Sequence, residues 1–362
     1  MIWIKKFSLY SFLIMVPVVL VLLFDFFFGG FVVSGAQASK NDARISHPIY
    51  HHSLKEDFIG RDRFGPVEYK LCTDGNGFKI SCKKFPKTTK HFDIAFIGDS
   101  FTEGIGLSFE HSFVGQISKE LKDKKIVNLA VASYSPAMYL SKVNFLLNNG
   151  FTFNEVVVYI DLSDILDENS YFLENNVVKE VNFVAGTNIF ETRTFKQNLR
   201  KWFPLSYIGF DFLKQFFWGE SKESIRNRAF EDPRANWTFN STIQSNNSSE
   251  IEIGIERSLE NMIKLSELLK KKKILLSVGV YPWPGQIFYD STESKQVILW
   301  RNFCENRCKN FYNSFDSFLT LKKMQSPETI VRKYFIRRDV HFNREGSFIV
   351  AKDFVRTYVM KK

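Results

Sequence analysis

The sequence has little cysteine and little histidine, and this scarcity excludes several kinds of metal site. Its 362 residues include only 4 Cys and 6 His, and five of the six histidines lie at or before His111. Cys72 and Cys82 follow a C-x9-C pattern and Cys304 and Cys308 a C-x3-C pattern, both without a nearby histidine. These spacings are poor for zinc, so the sequence predicts no metal site.

Signatures of nucleic-acid binding are missing as well. Lys and Arg total 49 against 39 Asp and Glu, a formal net charge of +10. The lysines are scattered, however, and the densest run, 270–273, lies between a predicted helix and a predicted strand. No zinc finger, RNA-binding motif or helix–turn–helix pattern accompanies them. The basic excess therefore predicts no nucleic-acid partner.

Only one hydrophobic run is long enough to suggest a membrane span, and it lies at the N-terminus. Lys5 and Lys6 precede 18 uncharged residues, 7–24, and after Asp25 the apolar stretch continues over 26–33. About 20 apolar residues span a bilayer core, and basic residues on the N-terminal side keep that end in the cytoplasm. Residues 1–38 are therefore predicted to be a signal anchor or a signal peptide.

The rest of the chain is predicted to be exported. Ala36-Gln37-Ala38 has the form of a signal-peptidase site, so cleavage after Ala38 would release a secreted protein. The apolar run is long for a signal peptide, which favours an uncleaved anchor with the following domain in the periplasm or outside the cell. Export also suits two local disulfides as structural staples, Cys72–Cys82 and Cys304–Cys308.

Beyond the N-terminal segment, the pattern predicts an arm over 39–92 and an α/β domain over 93–362. Short apolar strands are predicted at 94–97, 125–129, 155–160 and 274–280, with helices at 112–121, 137–148, 255–271, 295–310 and 345–359. Buried strands alternating with helices indicate a three-layer, doubly wound parallel sheet. An insertion over 171–250 interrupts this rhythm. Its aromatic patch, 195–218, is expected to pack on the core rather than lie in a membrane interface.

Three predicted strands are followed by polar residues. Gly98-Asp99-Ser100 follows the first strand, a block from Asn128 to Ser133 the second, and Asp161, Ser163 and Asp164 the third. In open α/β sheets, reactive groups gather at the carboxyl ends of the strands. Each motif taken alone is weak, because Asp and Ser are also common helix caps.

A fourth motif lies near the C-terminus, where Asp339-Val340-His341 precedes the last predicted helix. A histidine two residues after an aspartate can turn toward a serine while the aspartate orients its other ring nitrogen. Acyl-transfer hydrolases need this arrangement.

In this order, the four motifs resemble the SGNH/GDSL hydrolase superfamily over residues 93–170 and 255–360. The resemblance implies that Ser100 is the nucleophile and that Asp339 and His341 complete a catalytic triad. Asp99, Asn128, Asp161 and Asp164 are possible accessory residues. The Asp-x-His spacing is similar to that of membrane-associated members that acetylate or deacetylate exported polysaccharides.

The sequence departs from the family pattern at two oxyanion-hole positions. The family's glycine of the second block falls on Ser133, whose backbone N–H can still donate beside that of Ser100. The family's asparagine of the third block falls on Ser163, which has a shorter side chain. Loss of one donor costs about 10²–10³ in rate. Three alternatives stay open. Ser163 takes the role of the asparagine, another group supplies the missing donor, or the protein is a weak or specialised catalyst.

The resemblance implies a serine-dependent esterase that acts on acylated, most simply O-acetylated, exported carbohydrate and needs no cofactor. Two alternatives stay open. One is an O-acyltransferase component that works with a polytopic membrane acyltransferase as acyl donor. The other is a binding protein that has kept the fold without the activity.

Overall fold

The computed structural model describes residues 15–29, 43–64, 67–83, 89–181, 202–206, 209, 213, 232–239 and 248–360. The chain forms two compact units. One comprises residues 1–41 and 182–225, and the other comprises 42–181 and 226–362. The larger unit contains all four motifs of the candidate site.

The larger unit begins with antiparallel strands. A hairpin of β1 (Arg44–His47) and β2 (His51–Leu54) precedes a small sheet of β3 (Ile59–Phe64), β4 (Val67–Thr73) and β5 (Lys79–Ile80). The residues predicted as an arm therefore fold in the same unit as the central sheet. The predicted boundaries at 38, 92, 171 and 250 stay predictions.

Five parallel strands form the central sheet. They are β6 (His91–Ile97), β7 (Ile126–Asn128), β8 (Thr152–Tyr159), β11 (Leu275–Val280) and β12 (Phe311–Asn313), in the order β12-β11-β8-β6-β7. A separate antiparallel hairpin, β9 (Tyr171–Glu174) and β10 (Val177–Glu180), lies in the stretch predicted as an insertion. The valines of β8 are buried without alternation, as expected for a strand covered on both faces.

Helices connect the strands and cover the sheet. They are α1 (Ser100–Glu103), α2 (Phe113–Glu120), α3 (Pro136–Asn148), α4 (Asp164–Asp167), α5 (Ser248–Lys271), α6 (Pro284–Tyr289), α7 (Lys295–Cys304), α8 (Phe315–Leu321), α9 (Pro327–Tyr334) and α10 (Arg344–Met360). Right-handed crossovers place α2 on one face and α3 and α5 on the other. Accordingly, α2 packs against α10, and α3 packs against α5. The predicted doubly wound parallel sheet is confirmed.

The strand order creates a crevice between β6 and β8. The chain runs from β6 outward to β7, then returns past β6 to β8, β11 and β12. At such a reversal the connections leave the sheet in opposite directions, which opens a crevice at the carboxyl ends of the two strands. Ser100 follows β6 and Asp161 follows β8, so the fold places both at this crevice.

The predicted helix over 295–310 is wrong in its last part. The helix ends at Cys304, and the next residues form a turn followed by β12. The Cys304–Cys308 disulfide joins two residues whose Cα atoms are 4.7 Å apart in this turn. The second disulfide joins Cys72 at the end of β4 to Cys82. Both predicted pairings are confirmed, and they indicate an oxidising compartment.

The smaller unit contains the N-terminal apolar run. Residues 15–24 are helical, and Asp25–Gly29 continue as a π-helix. The buried Asp25 carboxylate, which interrupts the run, accepts the backbone N–H groups of Leu205 and Ser206 at 2.9 and 2.6 Å.

The predicted membrane helix is not found among the described residues, where no helix is both long and apolar enough to cross a bilayer. Residues 1–14 and 30–42 lie outside the described residues, as does most of the aromatic patch at 195–218.

Candidate active site

Ser100 is held at the start of a short helix directly after a central strand. β6 ends at Ile97, and α1 begins at Ser100, so Gly98 and Asp99 make the whole connection. Gly98 has no room for a side chain, because a Cβ there would lie 2.6 Å from the carbonyl oxygen of Tyr159. As the first helical residue, Ser100 has a backbone N–H without an acceptor inside the helix.

The structure brings Ser100, His341 and Asp339 into one hydrogen-bonded chain. Ser100 Oγ lies 2.7 Å from His341 Nε2, across 241 residues of sequence. On the other side of the ring, His341 Nδ1 lies 2.5 Å from Asp339 Oδ1. That same oxygen accepts the backbone N–H of His341 at 2.9 Å. The three side chains predicted as a triad therefore have the geometry of a nucleophile, a base and an orienting carboxylate.

Aromatic rings fix the position of the His341 imidazole. The ring of Phe101, the residue after Ser100, stacks on it at 4.5 Å between centroids, and Phe64 of β3 meets it edge-on at 4.8 Å. The predicted arm thus contributes a wall of the site. The His341 side chain keeps 13% of its surface exposed, so the ring is fixed without being sealed from solvent.

The Asp339 carboxyl is stabilised in its charged form. Burial by itself would raise the pKa of Asp339, but the hydrogen bond and the positive charge of His341 outweigh burial and lower it. An ionised Asp339 can balance the charge that His341 gains when it accepts a proton.

Three further carboxyl groups, those of Asp99, Asp161 and Asp164, lie together on the opposite side of Ser100. All three are buried, and their ligand atoms lie within 4.8 Å of one another. Each accepts hydrogen bonds from neutral donors. Asp99 accepts from Phe101 N and Tyr281 Oη, and Asp161 accepts from Ser163 N, Ser163 Oγ and Trp283 Nε1. Asp164 accepts from Tyr139 Oη and Asp161 N. Among the described residues, no lysine or arginine forms an ion pair with them.

The environment of Asp99, Asp161 and Asp164, here called the carboxyl cluster, favours the neutral, protonated form of their side chains. Burial, together with the negative charge of Asp161, raises the pKa of Asp99 well above its ordinary value. Burial and the charges of Asp99 and Asp161 do the same for Asp164. Burial also raises the pKa of Asp161, against the hydrogen bonds from Ser163 and Trp283.

The spacing of the carboxyl cluster is one that a metal ion could use. Both oxygens of Asp161 and Oδ1 of Asp99 already face N–H or O–H donors. A cation would have to displace these donors, so the donor set fits protons better than a metal ion. The absence of a metal site stays a prediction.

Hydrogen bonds join the loop after β7 to α1. Asn128 donates to the carbonyl of Thr102 at 2.7 Å and accepts the N–H of Ala130. Glu103 accepts the N–H of Ala132 at 2.7 Å through Oε2. These bonds fix the loop that carries Ser133, and they give Asn128 a positioning role rather than a place at the reacting atoms.

Ser133 adopts a backbone conformation that glycine favours. Its φ is +67°, in the left-handed region that L-residues rarely enter. This suits a position where the superfamily has glycine. Its N–H donates to no backbone carbonyl in the described part of the chain, so it is free to donate to a ligand.

Ser163 makes a different contact from the one its position suggested. Its hydroxyl donates to Asp161 Oδ1 at 2.6 Å, and its backbone N–H donates to the same oxygen at 2.8 Å. In this arrangement the hydroxyl proton is committed to Asp161 and is not available as a third oxyanion donor.

Sequence reasoning missed four residues of the site. Tyr281 and Trp283 follow the carboxyl end of β11 and bond to Asp99 and Asp161. Glu103 supports the Ser133 loop, and Arg44 of β1 pairs with Glu103 at 2.5 Å. The aromatic pair after a predicted strand was a usable signal, because that edge of the sheet was already expected to hold the site. Nothing in the sequence marks Arg44.

Solved structures similar to this chain are lipolytic hydrolases of the G-D-S-L type and acetylxylan esterases. An acetylxylan esterase from Geobacillus stearothermophilus has a TM-score of 0.40 and 10% identity, covering 73% of this chain and 93% of its own. A GDSL-like lipase from Bacteroides thetaiotaomicron has a TM-score of 0.38 and 11% identity, covering 75% and 89%. A member of the lipolytic G-D-S-L family from Veillonella parvula has a TM-score of 0.39 and 11% identity, covering 74% and 98%.

No protein-family model and no curated protein sequence matches the chain. The assignment of function therefore rests on the side chains of the site.

Proposed function

We propose that the protein is a serine-dependent ester hydrolase in which Ser100, His341 and Asp339 act as a catalytic triad. The continuous hydrogen bonding from Ser100 Oγ through the imidazole to Asp339 carries this proposal. A serine hydroxyl is a weak nucleophile unless an adjacent base takes its proton, and here the base lies at 2.7 Å.

In the first step, Ser100 Oγ attacks the ester carbonyl while its proton passes to His341 Nε2. Asp339 holds the proton on Nδ1 and balances the imidazolium charge. His341 then gives its proton to the leaving alcohol, which departs with the bonding electron pair and leaves an acyl-enzyme. Water, deprotonated by His341, attacks this ester and releases the acid and the free Ser100 hydroxyl.

The negative oxygen of the tetrahedral intermediate needs hydrogen-bond donors. The N–H of Ser100 lies at the N-terminus of α1, and the N–H of Ser133 lies in the loop that Asn128 and Glu103 fix. We assign these two N–H groups to the oxyanion hole and leave out the Ser163 hydroxyl, because Asp161 accepts its proton.

The substrate we propose is an acylated, most simply O-acetylated, exported carbohydrate, with the chain held at the membrane by its N-terminal segment or secreted after cleavage at Ala38. The two disulfides support an oxidising compartment, and the apolar run 7–24 supports membrane targeting. The Asp-x-His spacing supports the carbohydrate substrate through the resemblance to polysaccharide-modifying members.

The experiment that tests the proposal is labelling of the purified full-length protein with a fluorophosphonate, which reacts with activated serines. We expect labelling of the wild type and its loss in Ser100→Ala and in His341→Ala. His111→Ala is the matched control, because His111 is an exposed histidine whose ring bonds to Ser108. Labelling that persists in Ser100→Ala, or a folded wild type that is never labelled, would contradict the proposal.

The same preparation separates hydrolysis from acyl transfer. Release of acid from an acetylated oligosaccharide in water supports the esterase. Transfer of the acyl group to an oligosaccharide, outpacing release, would instead indicate the acyltransferase, because both reactions use the same acyl-enzyme.

A further inference from the structure

The hydroxyl of Ser100 lies between two hydrogen-bonding groups that compete for its single proton. His341 Nε2 is 2.7 Å away, and Asp99 Oδ2 is 3.0 Å away. A serine hydroxyl donates one hydrogen bond and accepts through its lone pairs. The oxygen therefore donates to one of these neighbours and accepts from the other.

The hydrogen bonds of the His341 imidazole determine to which neighbour the Ser100 hydroxyl donates its proton. His341 Nδ1 faces Asp339 Oδ1, and an ionised carboxylate only accepts hydrogen bonds. Nδ1 therefore carries the hydrogen, and Nε2 must be an acceptor if His341 is the base of the proposed function. Ser100 then donates to Nε2, so a hydrogen bond across the 3.0 Å between Ser100 Oγ and Asp99 Oδ2 needs a hydrogen on Asp99.

We propose that Asp99 is a neutral carboxylic acid whose Oδ2–H donates to Ser100 Oγ and directs the serine proton toward His341. The inference rests on the proposed function, in which His341 is the base that accepts the Ser100 proton. Asp99 is then a catalytic residue, because it contacts the reacting oxygen.

The surroundings of Asp99 place its proton on Oδ2. Oδ1 accepts the N–H of Phe101 at 3.0 Å and the hydroxyl of Tyr281 at 3.2 Å, so only Oδ2 is left to carry a hydrogen. The bond from the Phe101 N–H also gives Asp99 its structural role as the N-cap of α1.

In the described part of the chain, no lysine or arginine forms an ion pair with Asp99. Asp161 and Asp164 approach from the loop after β8, Tyr281 from the loop after β11, Tyr139 from α3, and His341 from the segment before α10. Two of these groups are acids and two are neutral phenols. Burial and the charge of Asp161 raise the pKa of Asp99, in agreement with the geometry.

During attack, the neutral Asp99 keeps its proton. The Ser100 Oγ–H bond breaks, the hydrogen moves to His341 Nε2, and an Oγ electron pair forms the bond to the carbonyl carbon. The Asp99 hydrogen bond stabilises the negative charge that develops on Oγ. An ionised Asp99 would instead accept the Ser100 proton and turn it away from His341, so reactivity falls as pH rises through the pKa of Asp99.

The test compares the fluorophosphonate labelling rate of full-length wild type, Asp99→Asn and Asp99→Ala as a function of pH. An asparagine amide still donates to Ser100 Oγ, so we expect Asp99→Asn to lose the alkaline decline. We expect Asp99→Ala to label about 10- to 100-fold more slowly at neutral pH, because one hydrogen bond to a charged oxygen is lost.

The matched control is Asp167→Asn. Burial raises the pKa of Asp167 to about 6, but its side chain has no hydrogen bond to Ser100 in the described structure. This variant should keep the alkaline decline. An unchanged decline in Asp99→Asn, or equal losses in Asp99→Asn and Asp99→Ala, would overturn the catalytic role.

A second readout does not depend on activity. In the infrared spectrum of the wild type at neutral pH, Asp99 should give the carbonyl band of a protonated carboxyl, and Asp99→Asn should remove it. Ser100→Ala, which removes the acceptor, should shift that band to higher frequency. A protein that shows this band but is never labelled contradicts the proposed function alone. Absence of any such band that Asp99→Asn removes contradicts the neutral Asp99; a band left in Asp99→Asn belongs to another protonated carboxyl, such as Asp164.

Discussion

Carboxyl groups lie on both sides of Ser100, and the two sides differ in charge. On one side, Asp339 is paired with His341, and its pKa is lowered despite burial. On the other, Asp99, Asp161 and Asp164 are packed together, no lysine or arginine of the described residues forms an ion pair with them, and the pKa of each is raised. The residue type is the same throughout, so its neighbours decide the protonation state. The reacting serine then has an acceptor on one side and a donor on the other.

The largest effect should come from removing the charge on the imidazole side. Asp339→Asn leaves a neutral amide next to His341, which no longer holds the proton on Nδ1 or balances the imidazolium. We expect ester hydrolysis to fall by about 10³–10⁴-fold, measured as steady-state hydrolysis of an aryl acetate. Asp123→Asn, at an exposed position, is the control. A loss smaller than tenfold would mean that another group orients His341.

Glu103 provides a contrast to the carboxyl cluster, because it is a fully buried carboxylate that is paired with a cation, Arg44. Arg44→Met removes the cation that is paired with Glu103, so we expect the free energy of unfolding to fall by about 2–4 kcal/mol. Chemical denaturation measures this. In the control, Arg61→Met breaks the exposed pair with Glu68 and should cost less than about 1 kcal/mol. Equal costs would show that the burial of Glu103 does not matter.

The carboxyl cluster should make stability depend on pH in the opposite direction from Asp339. A carboxyl whose pKa is raised on folding stabilises the protein below its ordinary pKa, and this contribution is lost as pH rises through the raised value. Asp339, whose pKa is lowered, stabilises above its ordinary pKa, and its contribution is lost as pH falls through the lowered value.

Asp164→Asn tests this sign. The amide oxygen can still accept from Tyr139 and from the N–H of Asp161, while the charge is removed. We expect the variant to be more stable than wild type by about 1–2 kcal/mol at pH 8 and no more stable at pH 4. Urea unfolding at both pH values measures it. A gain that is the same at both would argue against a charge effect.

The smallest effects concern the loops on either side of Ser100. Ser133 and Arg338 both have positive φ, at +67° and +65°, where glycine is favoured. Ser133→Gly and Arg338→Gly should each raise the free energy of unfolding by about 0.5–1 kcal/mol. Arg337→Gly, at a residue without positive φ, should lower it. Thermal unfolding followed by circular dichroism is sensitive enough, and destabilisation in all three would contradict the assignment of strain.

Much of the site could be predicted because it lies where parallel strands end. The β-branched residues of β8 indicate a strand covered on both faces. The polar residues that follow it, Asp161 to Asp164, must then lie at the carboxyl edge of the sheet. The same reasoning places Ser100 after β6. It failed after Cys304, where the residues predicted to continue the helix to 310 instead form a turn before β12.

Contacts between distant segments could not be predicted. Arg44 reaches Glu103 from 59 residues away in a strand whose pattern shows no function. Ser163 could be matched to the asparagine of the third block by its position, but only the packed structure shows that Asp161 takes its proton. Side chains of this kind are placed by packing rather than by spacing along the chain.

The sequence by itself determined the local features: the strands and helices, the Gly98-Asp99-Ser100 turn, the two short-range disulfides and the pairing of Asp339 with His341 two residues later. Tertiary structure decided the charges. It brought His341 to Ser100 across 241 residues, and it packed three aspartates together in the interior, where burial raises their pKa values. A carboxyl group's charge depends on the water and the charges around it, and these are set only when the chain has folded.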